Sequence, residues 1–258
     1  MSKKKDLDLG ELLMDRHNKK IYVKDGVVTK VFDHAKYSAS NVMMEAMNQA
    51  YAIECGLNAP KVYDVFPVGD DWAISSEEIK GKTLEALIKE DSAHTKKYIS
   101  ELVKVQVKVL SHLTDNLKLP KLKDKLNKYI SASGLDASTR YDLHAKLEKM
   151  PNHYKLCHGD ITLHNVIIRD DGKVYLLDWA HLTRGNSSGD AANTYLSLLL
   201  DGNEKLADMY LKEFCKKTDI ANQYVQQWVS VVSATKLVTT DDKKKKEALM
   251  RNIEVVEY

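Results

Sequence analysis

Hydrophobic and polar residues alternate with a period of two in several runs before residue 80, which is the pattern of half-buried β-strands. The runs "KKIYVK" and "VVTKVF" flank Asp25-Gly26, a dipeptide typical of two-residue hairpin turns. The stretch "KVYDVFPVGDDWAISSEEI" (61–79) predicts two more strands that turn at Gly69-Asp70. The first part of the chain is therefore expected to be an antiparallel sheet.

One helix interrupts this sheet in "SASNVMMEAMNQAYAIECG" (38–56). Ser40 is the predicted N-cap and Gly56 the predicted end of the helix. The apolar positions that recur at helical spacing, and that we expect to face the core, are Met43, Met47, Ala50 and Tyr51.

From Thr83 onward the period changes to that of helices. A helix is predicted over 92–115, with an apolar stripe formed by Ile99, Leu102, Val103, Leu110 and Leu113. Further helical segments extend to about 150 and resume from about 190, with a hairpin between them that turns at Asp171-Gly172. The predicted fold class is α+β, with a small β-rich lobe (1–81) and a larger helical lobe (82–258).

Composition changes this picture little. The 258 residues are 43% hydrophobic and 29% charged, with a formal net charge of +2, which favours a globular protein over a nucleic-acid or membrane-surface binder. The lysine-rich stretches at 118–128 and 243–246 are interpreted as solvated helix faces. Isolated cysteines, the lack of a long apolar run and an N-terminus without an apolar h-region predict a cytoplasmic protein with neither nucleic-acid nor membrane partners. The oligomeric state is left open.

The second hairpin carries candidate chemistry. A two-residue turn at Asp171-Gly172 would place Asn165 directly opposite Asp178, with Cβ atoms about 4.5–5.5 Å apart. Carboxylate and amide oxygens are hard donors that suit Mg²⁺, so the pattern predicts that these two residues are metal ligands.

Asp160 precedes Asn165 by five residues, on the loop that enters this hairpin. The spacing D-x-x-x-x-N is that of the phosphoryl-transfer catalytic loop, in which Asp accepts the substrate hydroxyl proton and Asn holds metal. "HGD" alone would be better explained by an Asp that caps a turn. Together with Asn165 and the "LLDW" that closes the hairpin, it predicts a catalytic loop.

At this point the chain resembles a known family. "HGDITLHN" followed by "VYLLDW" is similar to the aminoglycoside-phosphotransferase and choline-kinase-like family of small-molecule kinases, as is "GNSSGDAANTYLSLLL" (185–200). The resemblance covers most of the chain but is specific mainly in 156–196. It implies a two-lobe protein-kinase-like fold, ATP and Mg²⁺ as cofactors, and a small-molecule hydroxyl as phosphate acceptor.

The resemblance also implies roles for single residues. Asp160 would be the catalytic base, Asn165 and Asp178 metal ligands, and His158 a scaffold residue of the catalytic loop. Asp190 would anchor that loop from below, and a helix N-cap is an equally good explanation for it.

The β-rich lobe should then supply a lysine for the ATP phosphates and a glutamate to hold it. Alternation puts Val28 and Lys30 on one face of a strand, so Val28 would cover the adenine while Lys30 reaches the phosphates. Glu45, 15 residues later, fits the Lys–Glu pair of the family. The competing choices are Lys24 and Glu54.

The family's hinge would lie at "SSEEIKG", where Glu77 to Ile79 offer backbone groups to the adenine and Ser76 lies beside it. One departure concerns the loop before Ile21, "MDRHNKK", which contains no glycine-rich phosphate flap. Either its backbone amides suffice for the phosphates, or the loop is open and nucleotide affinity is modest.

Two other motifs each lack a residue that their function requires. "GKT" (81–83) lacks the earlier glycine of a P-loop, since Ser76 occupies that position. "GNSSG" (185–189) has the spacing of a nucleophile elbow, but no histidine follows Ser187 in the chain.

Three functions therefore remain: a small-molecule kinase, a catalytically inactive nucleotide-binding scaffold of the same fold and, less favoured because no A-P-E segment follows Asp178, a protein kinase. The acceptor is not identified by the sequence, and aminoglycosides, choline-like amines and sugars all stay open. Four aromatic residues could line an acceptor site or belong to the core: Tyr195, Tyr210, Tyr224 and Trp228.

Overall fold

The structure is a computed structural model that describes residues 7–16, 18–116 and 119–254. The chain divides into two compact units, the first comprising Met1–Lys82 and Ile167–Ala180 and the second Thr83–Val166 and His181–Tyr258. The predicted boundary after residue 81 lies one residue from the end of the first segment. The second hairpin, which was expected in the helical part, belongs to the first unit because its backbone is bonded there: Leu176 N donates to Asn58 O at 2.9 Å.

The first unit contains an antiparallel five-stranded sheet in the order β1-β2-β3-β5-β4. Its strands are β1 (Glu11–Arg16), β2 (Lys19–Lys24), β3 (Val27–Phe32), β4 (Val62–Val68) and β5 (Asp71–Glu77). The hairpin at Asp25-Gly26 is confirmed: Lys24 pairs with Val27, and both turn residues have positive φ, as a primed two-residue turn requires. The hairpin at Gly69-Asp70 is confirmed by the pairing of Val68 with Asp71.

The stretch "MDRHNKK" is not the loop that the sequence suggested. Its first residues end β1 and its last ones begin β2, with Arg16 paired to Lys19. His17 lies outside the described residues.

A single helix, α1 (Ala39–Glu54), packs on the sheet. Its N-cap is Ser38, which forms a reciprocal capping box with Asn41, and not Ser40 as predicted. The predicted core face is also wrong at two positions, since Met43 and Met47 are 47% and 42% exposed. Val42 and Ala46 on the adjacent face pack instead against Phe32 and Ile74 of the sheet.

A second sheet, of order β6-β8-β9, contains the hairpin of the candidate catalytic region. Its strands are β6 (Gly81–Thr83), β8 (Val166–Arg169) and β9 (Val174–Leu176). Arg169 N donates to Lys173 O at 2.9 Å and Gly172 N to Arg169 O at 2.8 Å, so the turn has three residues and ends on Gly172 at φ +81°.

This turn corrects the predicted register. One additional turn residue shifts the pairing by one position, and β8 begins after Asn165 while β9 ends before Asp178. Strand pairing therefore does not place Asn165 directly opposite Asp178, and counting along the hairpin is no longer an argument for a shared metal site.

The second unit is mainly helical, with the short strands β7 (Lys155–Cys157) and β10 (Thr183–Gly185) paired to each other. Its helices are α2 (Leu84–Glu90), α3 (Thr95–Leu110), α4 (Leu122–Ala132), α5 (Ala137–Lys149), α6 (Ser187–Leu200), α7 (Glu204–Thr218), α8 (Asn222–Leu237) and α9 (Lys243–Glu254).

Several predicted positions in this unit can be compared with the structure. α3 is shorter than the predicted helix, and Leu113 lies beyond its end and is 74% exposed, because the chain there bridges to Lys155. Tyr210 and Trp228 are buried in the core, whereas Tyr224 is exposed. Within the described residues, no helix is both long and apolar enough to cross a membrane.

Candidate functional site

The first unit brings Lys30 and Glu45 together, as the sequence predicted. Lys30 Nζ lies 2.9 Å from Glu45 Oε1 and 3.8 Å from Asp178 Oδ1, and the Glu45 side chain is only 4% exposed. The competing residues are elsewhere: Lys24 pairs with Asp8 at the surface, and Glu54 is exposed at the end of α1.

A second lysine, Lys19, completes this group and was missed by the sequence analysis. Its Nζ lies 3.8 Å from Glu45 Oε2, 3.8 Å from Asp178 Oδ2 and 4.8 Å from the centroid of the Phe32 ring. Period-two alternation would have found it, because Lys19 shares a strand face with Ile21, which pairs with Lys30. We call Lys19, Lys30, Glu45 and Asp178 the lysine–carboxylate cluster.

The cluster balances two ammonium groups against two carboxylates within the first unit. The charges of the cluster also act on Tyr37, which is half-buried. Burial raises the pKa of the Tyr37 hydroxyl, and the negative charges of Glu45 and Asp178 raise it further. A phosphate group would compete with these carboxylates for the same lysines. The cluster is thus chemically suited to bind a nucleotide phosphate.

The predicted adenine region lies at the end of β5. Val28 is half-buried and pairs with Ser76, two positions along the strand from Lys30. The Glu77 backbone N–H is occupied, since it donates to Lys61 O at 2.8 Å. Within the described residues the Ile79 N–H makes no hydrogen bond and could donate to a ligand.

In the second unit, hydrogen bonds join the two ends of the segment from Asp160 to Asn165. Asn165 Nδ2 donates to Asp160 O at 2.9 Å and to Asp160 Oδ2 at 3.0 Å. His158 is fully buried, and its Nδ1 accepts from Asp160 N at 3.2 Å, which holds the loop backbone from inside. The side chains of Asp160 and Asn165, five residues apart in the sequence, are therefore in direct contact.

Asp190 anchors the same loop from the core. Its Oδ1 accepts from Gly159 N at 2.7 Å and its Oδ2 from Gln106 Nε2 at 2.9 Å. The N-cap of α6 is Asn186, so the alternative that Asp190 caps this helix is wrong. Burial raises the pKa of the Asp190 carboxyl, and the two hydrogen bonds oppose that rise.

Further hydrogen bonds hold Gln106, the partner of Asp190, and Gly159 in place. The Tyr210 hydroxyl donates to Gln106 Oε1 at 2.5 Å, and Asn193 Nδ2 donates to Gly159 O at 2.7 Å. Gly159 has φ +80°, and a Cβ atom there would lie 2.8 Å from His181 O, so the position requires glycine. We call Gln106, Gly159, Asp160, Asn165 and Asp190 the loop network.

Two lysines lie near Asp160 without an ion-pair partner among the described residues, Lys125 and Lys236. Lys125 Nζ is 3.2 Å from His181 O, and burial lowers its pKa to about 8 against the opposing influence of Asp160 and Asp190. Burial also lowers the pKa of Lys236. Lys125 belongs to the lysine-rich stretch interpreted as a solvated helix face; it is half-buried there, whereas Lys121 and Lys128 are exposed. Lys118 of that stretch lies outside the described residues.

Two side chains carry oxygen atoms that could bind a divalent cation, those of Asn165 and Asp178. Asn165 directs its amide N–H₂ to Asp160, and its Oδ1 accepts no hydrogen bond from the part of the chain that the structure describes. Asp178 has left-handed backbone geometry, φ 62°, a conformation that Asp adopts more readily than most residues other than glycine. Carboxylate and amide oxygens are the ligand types that Mg²⁺ prefers.

Solved structures of similar fold include aminoglycoside phosphotransferases and a choline kinase. An aminoglycoside-3'-phosphotransferase of type VIII is 15% identical, with a TM-score of 0.65 over 87% of this chain and 92% of that chain. Choline kinase LicA from Streptococcus pneumoniae is also 15% identical, with a TM-score of 0.65 over 95% of this chain and 92% of that one. A thermostable mutant of aminoglycoside phosphotransferase APH(4)-Ia, in ternary complex with ADP and hygromycin B, is 12% identical with a TM-score of 0.68 over 95% of this chain and 91% of that chain.

These neighbours confirm the predicted fold, an antiparallel β-rich lobe and a helical lobe of protein-kinase-like type. No curated protein is similar enough in sequence to match this chain. The sequence profile of the phosphotransferase enzyme family, however, matches residues 9–223, which is most of the chain. The chain therefore belongs to the phosphotransferase enzyme family.

Proposed function

We propose that this protein is an ATP- and magnesium-dependent kinase that transfers the γ-phosphate to a hydroxyl group of a small molecule. The observation that carries the proposal is the double hydrogen bond from Asn165 Nδ2 to the backbone and side chain of Asp160. It holds a carboxylate in a fixed position on a loop that Asp190 pins from the core. A scaffold without catalysis has no need of a carboxylate oriented in this way.

Each residue would contribute by position and charge. Asp160 accepts the proton of the acceptor hydroxyl. At the same time the hydroxyl oxygen bonds to the γ-phosphorus of ATP, the bond from that phosphorus to the β,γ-bridging oxygen breaks, and ADP leaves. Lys30, held by Glu45, binds phosphate oxygens, and Lys19 supplies a second positive charge to the same group. That second charge compensates for the absence of a glycine-rich flap between β1 and β2.

The nucleotide base would be bound at the end of β5. Val28 covers one face of the adenine, and the Ile79 N–H donates to a ring nitrogen, with Ser76 and the Glu77 backbone beside it. Asn165 and Asp178 would hold magnesium through their side-chain oxygens. When bound, the ion neutralises the charge that develops on the transferred phosphoryl group.

ATP consumption by the purified protein tests this proposal. A panel of amino alcohols, aminoglycosides, sugars and nucleosides is offered as acceptors with ATP or GTP, and the phosphorylated product is identified by mass spectrometry. The expected result is turnover with at least one acceptor, dependent on Mg²⁺ and lost in Asp160→Asn.

The alternatives give different outcomes. Saturable ATP binding without turnover on any acceptor would support the inactive scaffold of the same fold. Transfer of phosphate to protein or peptide substrates, with none to small molecules, would support a protein kinase. Either result would overturn the proposed small-molecule kinase.

A further inference from the structure

A buried arginine in the second unit has no ion-pair partner among the described residues. Arg184 of β10 is 9% exposed, and its Nε is buried without a hydrogen bond. No carboxylate lies within ion-pair distance of its guanidinium in the part of the chain that the structure describes. Its contact is instead with the Tyr154 ring, whose centroid lies 5.9 Å from Arg184 Cζ. A buried charge without a counter-charge is strongly destabilising, so this arrangement calls for an anion.

Arg184 lines a cavity of about 240 Å³. The cavity lies among the start of α4, the segment between α5 and β7, and the strand β10 itself, all within the second unit. Lys121 and Lys123 also line it, which adds two further positive charges. This space is far larger than one water molecule needs, and it is polar enough to hold a small organic acid or phosphate.

The start of α4 supplies a second feature that favours an anion. The N-cap of α4 is Lys121, and no side chain caps this end of the helix. A backbone bridge between Lys121 and Arg184 holds this end of the helix beside the arginine, and the helix dipole is positive at this end. By contrast, α6, which also begins at the cavity, is capped by the Asn186 side chain, which accepts from Ser188 N at 2.8 Å.

Two carboxylates also line the cavity and limit what can bind. Asp124 and Glu148 are present in the lining, but neither reaches ion-pair distance of Arg184. Their charges oppose a ligand that carries several negative charges. They leave the surroundings of the guanidinium free for one oxyanion group.

We propose that this cavity, which we call the Arg184 site, binds a small oxyanion through Arg184, the uncapped start of α4 and the neighbouring lysines. The ligand carries a carboxylate or a phosphate group, either of which can accept two parallel hydrogen bonds from a guanidinium. None of the residues that form the site belongs to the lysine–carboxylate cluster or to the loop network. The site is thus a binding site separate from the proposed phosphotransfer chemistry, and its test does not depend on that activity.

The test combines calorimetry with thermal unfolding. Wild-type protein is titrated with inorganic phosphate and, separately, with citrate, each against sodium chloride of equal ionic strength. The two arms distinguish a phosphate-bearing from a carboxylate-bearing ligand. We expect saturable binding of at least one anion and a saturable rise in melting temperature above the value in chloride. Phosphate and citrate also stabilise proteins without binding, through exclusion from the surface, and that part does not saturate.

Arg184→Met removes the charge while keeping much of the side-chain volume. We expect the saturable response to weaken at least about tenfold, the change that corresponds to loss of a charge-assisted hydrogen bond. In chloride alone the variant should melt at or above the wild-type temperature, because it no longer buries an unpaired charge. A purely structural arginine would give the opposite sign.

The exposed Arg251 on α9 provides the matched control, since Arg251→Met should leave the anion response unchanged. If Arg184→Met fails to fold, calorimetry on the wild type and on Arg184→Lys decides instead, with weakened binding expected for the lysine variant. Equal anion responses in wild type and Arg184→Met, or no saturable binding of either anion by the wild type, would overturn the proposal.

Discussion

The lysine–carboxylate cluster and the loop network hold their candidate functional groups by different means. In the cluster, four full charges face one another, and three of the four ion-pair distances are 3.8 Å, with the Asp178 side chain 28% exposed. In the loop network, hydrogen bonds of 2.7–3.0 Å hold the loop, and Asp190 is 2% exposed. Ion pairs of 3.8 Å can exchange partners more readily than the shorter hydrogen bonds that hold the loop network.

This difference suggests that the cluster and the loop network have different functions. A group that must admit and release a nucleotide benefits from charges that can re-pair with phosphate. A base that must meet a hydroxyl at one distance benefits from a fixed position. We therefore expect changes in the cluster to affect ligand affinity, and changes in the loop network to affect either turnover or stability.

The largest expected effect is that of Asp160→Asn. Loss of the general base should lower turnover by about 10²–10⁴-fold with the accepted substrate. The fold and ATP affinity should be preserved, because the new side chain has the same size and Asp160 is not part of the cluster. Steady-state kinetics and ATP titration measure the two quantities. Turnover within a few-fold of wild type would remove Asp160 from the mechanism.

The two candidate metal ligands sharpen the comparison, because Asp178 belongs to the cluster and Asn165 to the loop network. Asp178→Asn removes a full charge, so it should raise the Mg²⁺ concentration needed for half-maximal turnover by about 100-fold, more than Asn165→Ala does. The exposed Asp170 of the hairpin turn serves as control in Asp170→Asn. An unchanged Mg²⁺ requirement in both variants would exclude the two residues as ligands.

Asp190→Ala should separate anchoring from catalysis. It leaves the Gly159 N–H without its acceptor in a buried site and removes one of the two acceptors of Gln106 Nε2, the other being Thr194 Oγ1. We expect the free energy of unfolding to fall by about 3 kcal/mol. Urea denaturation followed by circular dichroism measures this loss. Asp208→Ala, at an exposed position of α7, should change stability by less than about 0.5 kcal/mol. Equal stabilities for the two variants would mean that the loop network is not rigidly held.

Lys30→Ala tests the opposite side of the comparison. We expect the KM for ATP to rise about 10–100-fold, the equivalent of one hydrogen bond to a charged group, with little loss of stability because Lys19 still lies near Glu45. Lys24→Ala removes a surface ion pair with Asp8 and should change the KM by less than twofold. A larger effect from Lys24 would show that the wrong lysine has been assigned to the phosphates.

The sequence predicts these regions unequally well, for physical reasons. The Asp25-Gly26 hairpin and the Asp160–Asn165 contact were predictable because each depends on a few adjacent residues. The Asp171-Gly172 register was not, because the same dipeptide also fits a three-residue loop that ends on a left-handed glycine.

Other features depend on tertiary structure. α1 has apolar residues on two faces, so periodicity could not decide that Val42 and Ala46 are buried and Met43 and Met47 are exposed. Lys19, by contrast, could have been found from period-two alternation along the Asp25-Gly26 hairpin. The burial of Lys125 and the unpaired charge of Arg184 depend on what packs around them, for which a local pattern carries no signal.

The smallest expected effect concerns Lys125, the exception to the contrast between the two regions. The cluster lysines have carboxylates within 4 Å, whereas Lys125 contacts only the His181 carbonyl and ring among the residues that the structure describes, and burial lowers its pKa to about 8. In the unfolded chain its pKa is near the ordinary value of 10.5. Below pH 8 the folded protein thus keeps a charge that is unfavourably placed. Between pH 8 and 10.5 the folded state releases this proton before the unfolded state does, so this contribution to stability rises with pH.

Lys125→Met should accordingly stabilise the protein at pH 7, by about 1 kcal/mol because partial exposure to water screens the charge. The difference from wild type should shrink as the pH rises toward 10. Urea denaturation at pH 7 and pH 9.5 measures both points. Lys128→Met, at an exposed position of the same helix, should show no such convergence. If Lys125→Met is less stable than wild type at pH 7, the ammonium group of Lys125 is held by favourable contacts in the folded protein.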